Sequence, residues 1–261
     1  MLPVVDKPLI QYAVEEALAA GITVLIFITG RNKRSIADHF DKAYELENEL
    51  EKKNKQDILE IVRNIIPEGV TCIYIRQPEA LGLGHAVLCA RAAVGDEPFA
   101  VLLADDLIDG HERNCLNQMV DIYEKFKKSV IAVEAIPKED SIKYGIVSLE
   151  EVEPGLGKVR GIVEKPEPDK APSNMAVIGR YILTPEIFNL LKQTQKGAGG
   201  EIQLTDGIAA LLQKEEVYSW QFKGKRYDCG SKFGYLQANI EYGLKDPEIS
   251  RDLQHYINSL K

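Results

Sequence analysis

Apolar and polar positions follow two different periods along the chain, and the change between them predicts a mixture of helices and strands. Residues 9–18 place apolar side chains three and four positions apart, which predicts a helix. Residues 24–29 form an unbroken β-branched and aromatic run, which is typical of a strand buried on both faces and favours a parallel sheet. The charged stretch 34–66 carries its apolar residues on one side, so we expect further helix there.

The remainder of the chain continues this alternation. Further predicted strands lie at residues 70–75, 99–103, 130–134, 145–149, 159–163 and 176–183, and further predicted helices at 85–93, 201–212, 232–242 and 247–260. Helices separate the strands in the first half, as in βαβ units, whereas the later strands have shorter connections. We therefore expect an α/β fold with a mixed, mainly parallel central sheet flanked by helices, a small antiparallel addition and a helical C-terminus.

Composition narrows the classes of protein that this chain can represent. Its 261 residues, 45% of them hydrophobic, are enough for one main domain with a substantial core. A net charge of −8 argues against nucleic acid as a partner. No apolar run approaches the length of about 20 residues that a membrane span needs, and the N-terminus lacks the pattern of a signal peptide, so we expect a cytoplasmic protein without a membrane partner. The four cysteines are widely spaced and indicate no zinc site.

An acid and a base stand side by side at Glu164 and Lys165, where a predicted strand meets a turn at Pro166. A carboxylate can accept hydrogen bonds from sugar hydroxyls, and a lysine ammonium suits a phosphate. Neighbouring side chains on a strand point to opposite faces, unless the turn redirects them. The pair is therefore a candidate site for a sugar phosphate, and an exposed ion pair is the alternative.

Two aspartates are candidate ligands for Mg²⁺. Asp105 follows the apolar strand 99–103 and would emerge at the carboxyl edge of the sheet, where open α/β sheets bind ligands. Magnesium takes one or two carboxylates together with substrate phosphates, and Asp228 is a candidate second ligand. A helix cap or a turn is the alternative role for each aspartate.

Two further segments are candidates for binding a substrate. Residues 77–86 join a strand to a helix, and glycines such as Gly82 let backbone N–H groups approach a ligand, while Gln77 could read the edge of a base. An ordinary strand-to-helix turn is the alternative, because the full dinucleotide fingerprint is absent. Glu201 begins a predicted helix and suits either hydroxyl recognition or capping.

Taken in order, the segments MLPVVDKPLIQYAVEEA, the glycine turn at 77–85, the Asp105 strand end, GIVEKP, SNMAVIGRYIL, GEIQLTD and YDCGSKFGY give the chain a family resemblance. It resembles the bacterial UTP–glucose-1-phosphate uridylyltransferases over essentially its whole length. The last two segments separate that family from the related thymidylyl- and adenylyltransferases. The resemblance implies a Rossmann-like nucleotidyltransferase fold, Mg²⁺ as cofactor, UTP and glucose 1-phosphate as substrates, UDP-glucose as product, and a homodimer or homotetramer.

The resemblance also implies a role for each candidate residue. It assigns uridine to Gln77 and Gly82, Mg²⁺ to Asp105 and Asp228, glucose to Gly145, Glu164 and the backbone from Val177 to Gly179, and the sugar phosphate to Lys165. Glu201 is a further candidate for substrate binding, and Lys165 and Asp105 are the expected catalytic residues.

One expected part of the family pattern is missing from this chain. The family normally has a strand, a GxGTR-type loop that cradles the triphosphate, and a lysine before the segment that begins here. We therefore expect residues 1–261 to form a single nucleotidyltransferase domain that is incomplete at its N-terminus, with an unpaired strand near residues 24–29. Two alternatives stay open: a non-catalytic UDP-glucose-binding or regulatory protein, and an enzyme of the same class with another sugar or base, since Glu164 alone does not distinguish glucose from galactose.

Overall fold

The computed structural model describes residues 1–260, apart from the side chain of Ala198. The strands are β1 (Pro3–Val4), β2 (Lys7–Pro8), β3 (Val24–Thr29), β4 (Thr71–Arg76), β5 (Phe99–Leu102), β6 (Asp106–Asp109), β7 (Val130–Ala135), β8 (Gly145–Glu153), β9 (Leu156–Glu164), β10 (Met175–Leu183), β11 (Tyr218–Gln221) and β12 (Lys225–Asp228). The α-helices are α1 (Leu9–Ala19), α2 (Arg34–Phe40), α3 (Tyr44–Lys52), α4 (Gln56–Arg63), α5 (Leu83–Cys89), α6 (Arg91–Val94), α7 (Cys115–Phe126), α8 (Glu186–Gln193), α9 (Leu204–Leu211), α10 (Lys232–Gly243) and α11 (Ser250–Ser259). Short 3₁₀-helices lie at Lys138–Lys143, Pro168–Lys170 and Ala198–Gly200.

The largest sheet has six strands in the order β5-β10-β7-β11-β9-β8. Strands β11 and β7 pair in parallel, whereas β10 runs antiparallel to both β5 and β7, and β8 and β9 form an antiparallel hairpin. The predicted mixed α/β nucleotidyltransferase fold is confirmed. Parallel pairs make up a smaller share of the strand pairs in this sheet than a mainly parallel sheet would have. The prediction differs here because the spatial order of strands depends on long-range pairing that the local pattern does not encode.

Strands β3 and β4 form a separate parallel pair, with Val24 opposite Thr71 and Thr29 opposite Arg76. The expected unpaired strand is therefore not observed at residues 24–29, although within residues 1–260 no strand pairs with the second edge of β3. Leu25 and Phe27 are buried, whereas Val24 is 51% exposed. The prediction that this strand is buried on both faces is therefore wrong, because only one of its faces packs fully into the core.

A buried ion pair joins α1 to the centre of the large sheet. Glu16 Oε2 lies 2.8 Å from Arg180 Nη2, and the two side chains are only 6% and 1% exposed. The second carboxylate oxygen of Glu16 accepts the Leu116 N–H at 3.0 Å, which also attaches the start of α7. The pair thus attaches α1 and α7 to β10, the strand that also carries Val177 and Gly179.

Several elements differ from the sequence predictions. The charged stretch 34–66 forms three helices instead of one, and Asn54 takes a left-handed φ of 50° between the second and third. The helix predicted from Glu201 begins at Leu204, because Glu201 is extended. The strands and α-helices that the pattern did not reveal are β1, β2, β6, α7, α8, β11 and β12. In the part of the chain that the structure describes, no helix is long and apolar enough to cross a membrane.

Candidate active site

The carboxylates of Asp105 and Asp228 come together at the end of the paired strands β6 and β12. The antiparallel register places Asp228 opposite Asp106, and the Cys229 N–H donates to the Asp105 carbonyl at 2.8 Å. A Cβ atom on Gly230 would lie 3.1 Å from Asp228 Oδ1 and 3.4 Å from Asp105 Oδ2. Both carboxylates therefore border the same small space, as the sequence predicted.

The electrostatic surroundings of this pair favour a cation. Desolvation by the surrounding protein and the nearby carboxylates of Asp106 and Asp228 raise the pKa of Asp105 above its ordinary value. Within residues 1–260, no group of three or more His, Cys, Asp or Glu side chains is arranged to hold a metal ion. Two carboxylates are nevertheless enough for Mg²⁺, which takes its other oxygen ligands from phosphates and water. Asp105 and Asp228 thus fit the ion that the sequence predicted.

Arg226 and Tyr144, which the sequence reasoning missed, contact Asp106 and Asp228. Arg226 Nε donates to Asp106 Oδ1 at 2.6 Å, and Arg226 Nη1 reaches Glu134 Oε2 at 3.3 Å. The guanidinium carbon lies 5.0 Å from the centre of the Tyr144 ring, and the Tyr144 hydroxyl lies 3.5 Å from Asp228 Oδ2. Arg226 precedes Asp228 by two positions on one strand, so the period-two pattern could have placed the two side chains on one face.

An irregularity in β10 brings its backbone to the same place. The pairing of β10 with β7 shifts register between Val177 and Tyr181, and in this interval the Gly179 N–H donates to Asp106 Oδ2 at 2.7 Å. A Cβ atom on Gly179 would lie 2.6 Å from that oxygen, so only glycine fits without displacement. Val177 is buried, and the Gly179 N–H already has a protein partner. The predicted contact of these two residues with glucose stays a prediction.

The hairpin of β8 and β9 places Glu164 opposite Gly145. Thr205, which begins the first turn of α9 together with Leu204, donates its hydroxyl to Glu164 Oε2 at 2.7 Å. A Cβ atom on Gly145 would lie 2.6 Å from Thr205 Cγ2, so glycine is needed for α9 to approach this closely. The sequence analysis did not assign Thr205, although it lies in the GEIQLTD segment. Glu164 is thus oriented by a neighbouring element and is only 17% exposed.

The turn after β9 redirects Lys165 towards Glu164. Lys165 has a left-handed φ of 45°, and its N–H donates to the Tyr144 carbonyl at 3.0 Å. Its Nζ lies 3.5 Å from Glu164 Oε1, and the lysine side chain is 53% exposed. The alternation of a regular strand would separate these two side chains, whereas the turn places their charges side by side at the surface.

The loop before α5 and the segment before α9 lie against each other. Gly82 has a φ of 92°, and a Cβ atom on it would lie 2.8 Å from Glu201 Cβ. The Ile202 N–H donates to the Leu81 carbonyl at 2.8 Å. Gln77 lies on the same loop and donates its side-chain amide to the Gly82 carbonyl at 3.1 Å. Gln77, Gly82 and Glu201 therefore lie together in one group.

A single short segment joins this group to the hairpin. Glu201 contacts Gly82, and Thr205 contacts both Gly145 and Glu164. Because four residues span at most about 13 Å, the two groups are close enough for one nucleotide sugar. Tyr144 in turn connects the hairpin to the aspartates, since its carbonyl contacts Lys165 and its hydroxyl contacts Asp228. The glycine loop, the hairpin and the pair of aspartates are thus connected through Glu201, Thr205 and Tyr144.

Comparison with known proteins shows which family the chain belongs to. A family model described as nucleotidyl transferase matches residues 1–243. The UTP–glucose-1-phosphate uridylyltransferase of Pseudomonas aeruginosa is 52% identical over 239 residues, which are 91% of this chain and 85% of that protein.

Solved structures give the same result. A UDP-glucose pyrophosphorylase complexed with UDP-glucose is 48% identical and has a TM-score of 0.86, over 94% of this chain and 90% of that one. The UTP-bound enzyme from Acinetobacter baumannii is 44% identical and has a TM-score of 0.92, over 100% of this chain and 91% of that one. These relatives confirm the resemblance that the sequence motifs carry. The chain therefore belongs to the nucleotidyl transferase family.

Proposed function

We propose that this protein transfers the uridylyl group of UTP to glucose 1-phosphate in a Mg²⁺-dependent reaction that yields UDP-glucose and pyrophosphate. The observation that carries the proposal is the junction at Tyr144, whose hydroxyl lies 3.5 Å from Asp228 Oδ2 and whose carbonyl accepts the Lys165 N–H at 3.0 Å. Tyr144 thus connects Lys165, which suits a phosphate, to the carboxylates of Asp105 and Asp228, which suit a cation. The names of the relatives support the same substrates.

The proposed reaction is an in-line displacement at phosphorus. A phosphate oxygen of glucose 1-phosphate attacks the α-phosphorus of UTP, the new P–O bond forms, and the bond to pyrophosphate breaks. Such a transfer requires positioning and charge neutralisation and no covalent enzyme intermediate. Lys165 would neutralise the attacking sugar phosphate, and its exposed ammonium is free to reach it.

The remaining residues would position the two substrates. Glu164, oriented by Thr205, would accept hydrogen bonds from the glucose hydroxyls beside Gly145. The backbone at Val177 and Gly179 would complete the glucose site, and Gln77, Gly82 and Glu201 would form the uridine side. Asp105 and Asp228 would hold Mg²⁺, which when bound supplies positive charge to the triphosphate.

The test measures the release of pyrophosphate and the formation of UDP-glucose from UTP and glucose 1-phosphate in the presence of Mg²⁺. We expect Lys165→Ala and Asp105→Asn each to lower turnover by about 100-fold or more, because each removes a charge that positions or stabilises the transferred group. Matched controls are Lys170→Ala and Asp169→Asn, whose side chains are exposed on the neighbouring 3₁₀-helix. The controls should retain turnover.

The outcomes separate the alternatives. Unchanged turnover in both site variants would remove the proposed site. Binding of UDP-glucose without any turnover would support a non-catalytic role, which the relatives, named for catalysis, do not favour. A panel of other sugar phosphates and nucleoside triphosphates tests the remaining alternative, an enzyme of the same class with another sugar or base.

A cytoplasmic location and a homodimer or homotetramer are further parts of the proposal. The C-terminal helix α11 packs through Leu253 against α10, since a Cβ atom on Gly243 would lie 2.8 Å from Leu253 Cδ2. Tyr256 and Leu260 point away from that contact and are 61% and 68% exposed. These two side chains leave α11 with an apolar surface that a second copy could cover.

A further inference from the structure

The side-chain amide of Gln77 has two hydrogen-bond partners in the protein. Gln77 follows β4, and its Nε2 lies 3.1 Å from the Gly82 carbonyl oxygen and 3.0 Å from His85 Nδ1. His85 is on the first turn of α5, one turn before Cys89. The amide is therefore held between the backbone of the glycine loop and the imidazole of the following helix.

The chemistry of these partners fixes which end of the amide faces them. A backbone carbonyl oxygen can only accept, so the Gln77 atom that faces Gly82 must be the nitrogen. The second proton of the same nitrogen points to His85 Nδ1, which must then carry a lone pair. His85 Nδ1 is thus the acceptor in this contact, and His85 Nε2 faces Cys89 Sγ at 4.0 Å.

The consequence concerns the other end of the amide. Both protons of Gln77 Nε2 are used, and within residues 1–260 no hydrogen bond to Gln77 Oε1 is present. Gln77 is half-buried beside the contact between Gly82 and Glu201. The amide oxygen is therefore the end of the Gln77 side chain that is left to accept a hydrogen bond from a ligand, next to the glycine loop.

A fixed acceptor distinguishes pyrimidines by the group at N3. Uracil carries an N3–H donor, whereas cytosine has a lone pair at the same position. The amide oxygen can accept a hydrogen bond from the N3–H of uracil. With cytosine the same oxygen would face the N3 lone pair, which is a second acceptor, so both polar groups would stay unsatisfied. We propose that His85 is a positioning residue that sets the preference for uracil over cytosine, by holding the Gln77 amide with its oxygen towards the base. This inference rests on the proposed function, because it requires a uridine nucleotide as substrate.

The test compares two replacements of His85 that differ in one property. His85→Asn keeps an acceptor, because Asn Oδ1 and His Nδ1 are both bonded to Cγ, whereas His85→Phe keeps a ring and removes the acceptor. Calorimetry measures the dissociation constants of UDP-glucose and CDP-glucose, and a pyrophosphate assay measures kcat/KM with UTP and CTP. We expect His85→Phe to reduce the preference for the uridine ligand by about tenfold or more, and His85→Asn to keep it within about threefold of the parent.

The control and the contradicting outcomes follow from the same contacts. Cys89→Ala removes the neighbour of Nε2 and leaves Nδ1 unchanged, so it should keep the preference. His85→Leu repeats the test if the phenylalanine variant does not fold. Two outcomes would overturn this inference alone, provided that UDP-glucose still binds. In the first, the variants that lack the acceptor keep the full preference for the uridine ligand. In the second, His85→Asn loses as much of that preference as they do. Failure of the parent protein to bind UDP-glucose would overturn the proposed function as well.

Discussion

Lys165 is the residue whose backbone most directly reflects a functional demand. A left-handed φ of 45° costs a non-glycine residue about 1 kcal/mol, and glycine or asparagine would adopt it more readily. The conformation places the ammonium 3.5 Å from Glu164 Oε1. The backbone conformation of Lys165 thus determines where its charge lies relative to Glu164.

This interpretation predicts that Lys165→Gly separates turnover from stability. We expect turnover to fall by about 100-fold or more, because the charge beside the sugar phosphate is lost. The free energy of unfolding should change by less than about 1 kcal/mol, since relief of the left-handed strain offsets the greater backbone entropy of unfolded glycine. A urea unfolding curve and a pyrophosphate assay on one sample measure both.

Lys127 provides the matched control. It also has a left-handed φ, 52°, but it lies at the exposed end of α7 and pairs with Glu124 there. Lys127→Gly should leave turnover unchanged and alter stability to a similar small extent. Full turnover in Lys165→Gly would contradict the role given to this lysine.

At the scale of elements, the ion pair of Glu16 and Arg180 connects α1 to β10. Both side chains are almost completely buried, and Arg180 also donates to the carbonyls of Leu103 and Asp106. A buried charge that loses its partner is far more costly than an exposed one. The position of α1 therefore depends on this pair more than on its surface contacts.

We expect Glu16→Leu to lower the free energy of unfolding by about 3–5 kcal/mol, because the guanidinium of Arg180 would be left buried and unpaired. Glu15→Leu on the same helix is the control and should cost less than about 1 kcal/mol, since its pair with Lys7 is partly exposed. The double variant Glu16→Met and Arg180→Met should recover much of the loss. Denaturant midpoints measure the stability of the two single variants and of the double variant. If Glu15→Leu lost as much stability as Glu16→Leu, the greater cost assigned to the buried pair would be refuted.

The contact between α9 and the β8–β9 hairpin leads to a second prediction about elements. A Cβ atom on Gly145 would lie 2.6 Å from Thr205 Cγ2, so Gly145→Ala should push Thr205 away from Glu164. We expect the KM for glucose 1-phosphate to rise by about tenfold or more, with a smaller effect on the KM for UTP. Steady-state kinetics with each substrate varied in turn measure the two constants.

The control for this change lies in the same hairpin. A Cβ atom on Gly161 would meet only Ser148 Oγ, at 3.0 Å, and that hydroxyl can rotate away. Gly161→Ala should therefore leave both constants near those of the parent. A rise in the KM for UTP alone in Gly145→Ala would contradict the assignment of this hairpin to the sugar.

At the scale of the whole molecule, the sequence was most informative where the pattern is local. The strand at 24–29 coincides with β3 because its β-branched and aromatic run is continuous. The short strands β6 and β12 were missed because they have only four residues each and are stabilised by pairing with each other across the chain. Helix α7 was missed although Asn114 caps it by accepting the Asn117 N–H, which is a recognisable start signal.

The same distinction applies to the site. Motifs predicted Gln77, Asp105, Glu164 and Lys165, each at the end of a strand. The contact of Arg226 with Asp106 was not predictable, because it depends on the pairing of β12 with β6. Sequence reasoning therefore found the candidate ligand-binding groups, and long-range pairing determines how they are held.

The segment 201–205 has a thermodynamic consequence. Glu201 touches the glycine loop at Gly82, Thr205 touches Glu164, and the Ile202 N–H fastens the stretch to the Leu81 carbonyl. A ligand that displaces or rigidifies one end of this stretch changes the free energy of binding at the other. Because such coupling is reciprocal, we expect nucleotide and sugar phosphate to alter each other's affinity by the same factor at the proposed site. The two halves of that site would then act as linked equilibria, and not as independent ones.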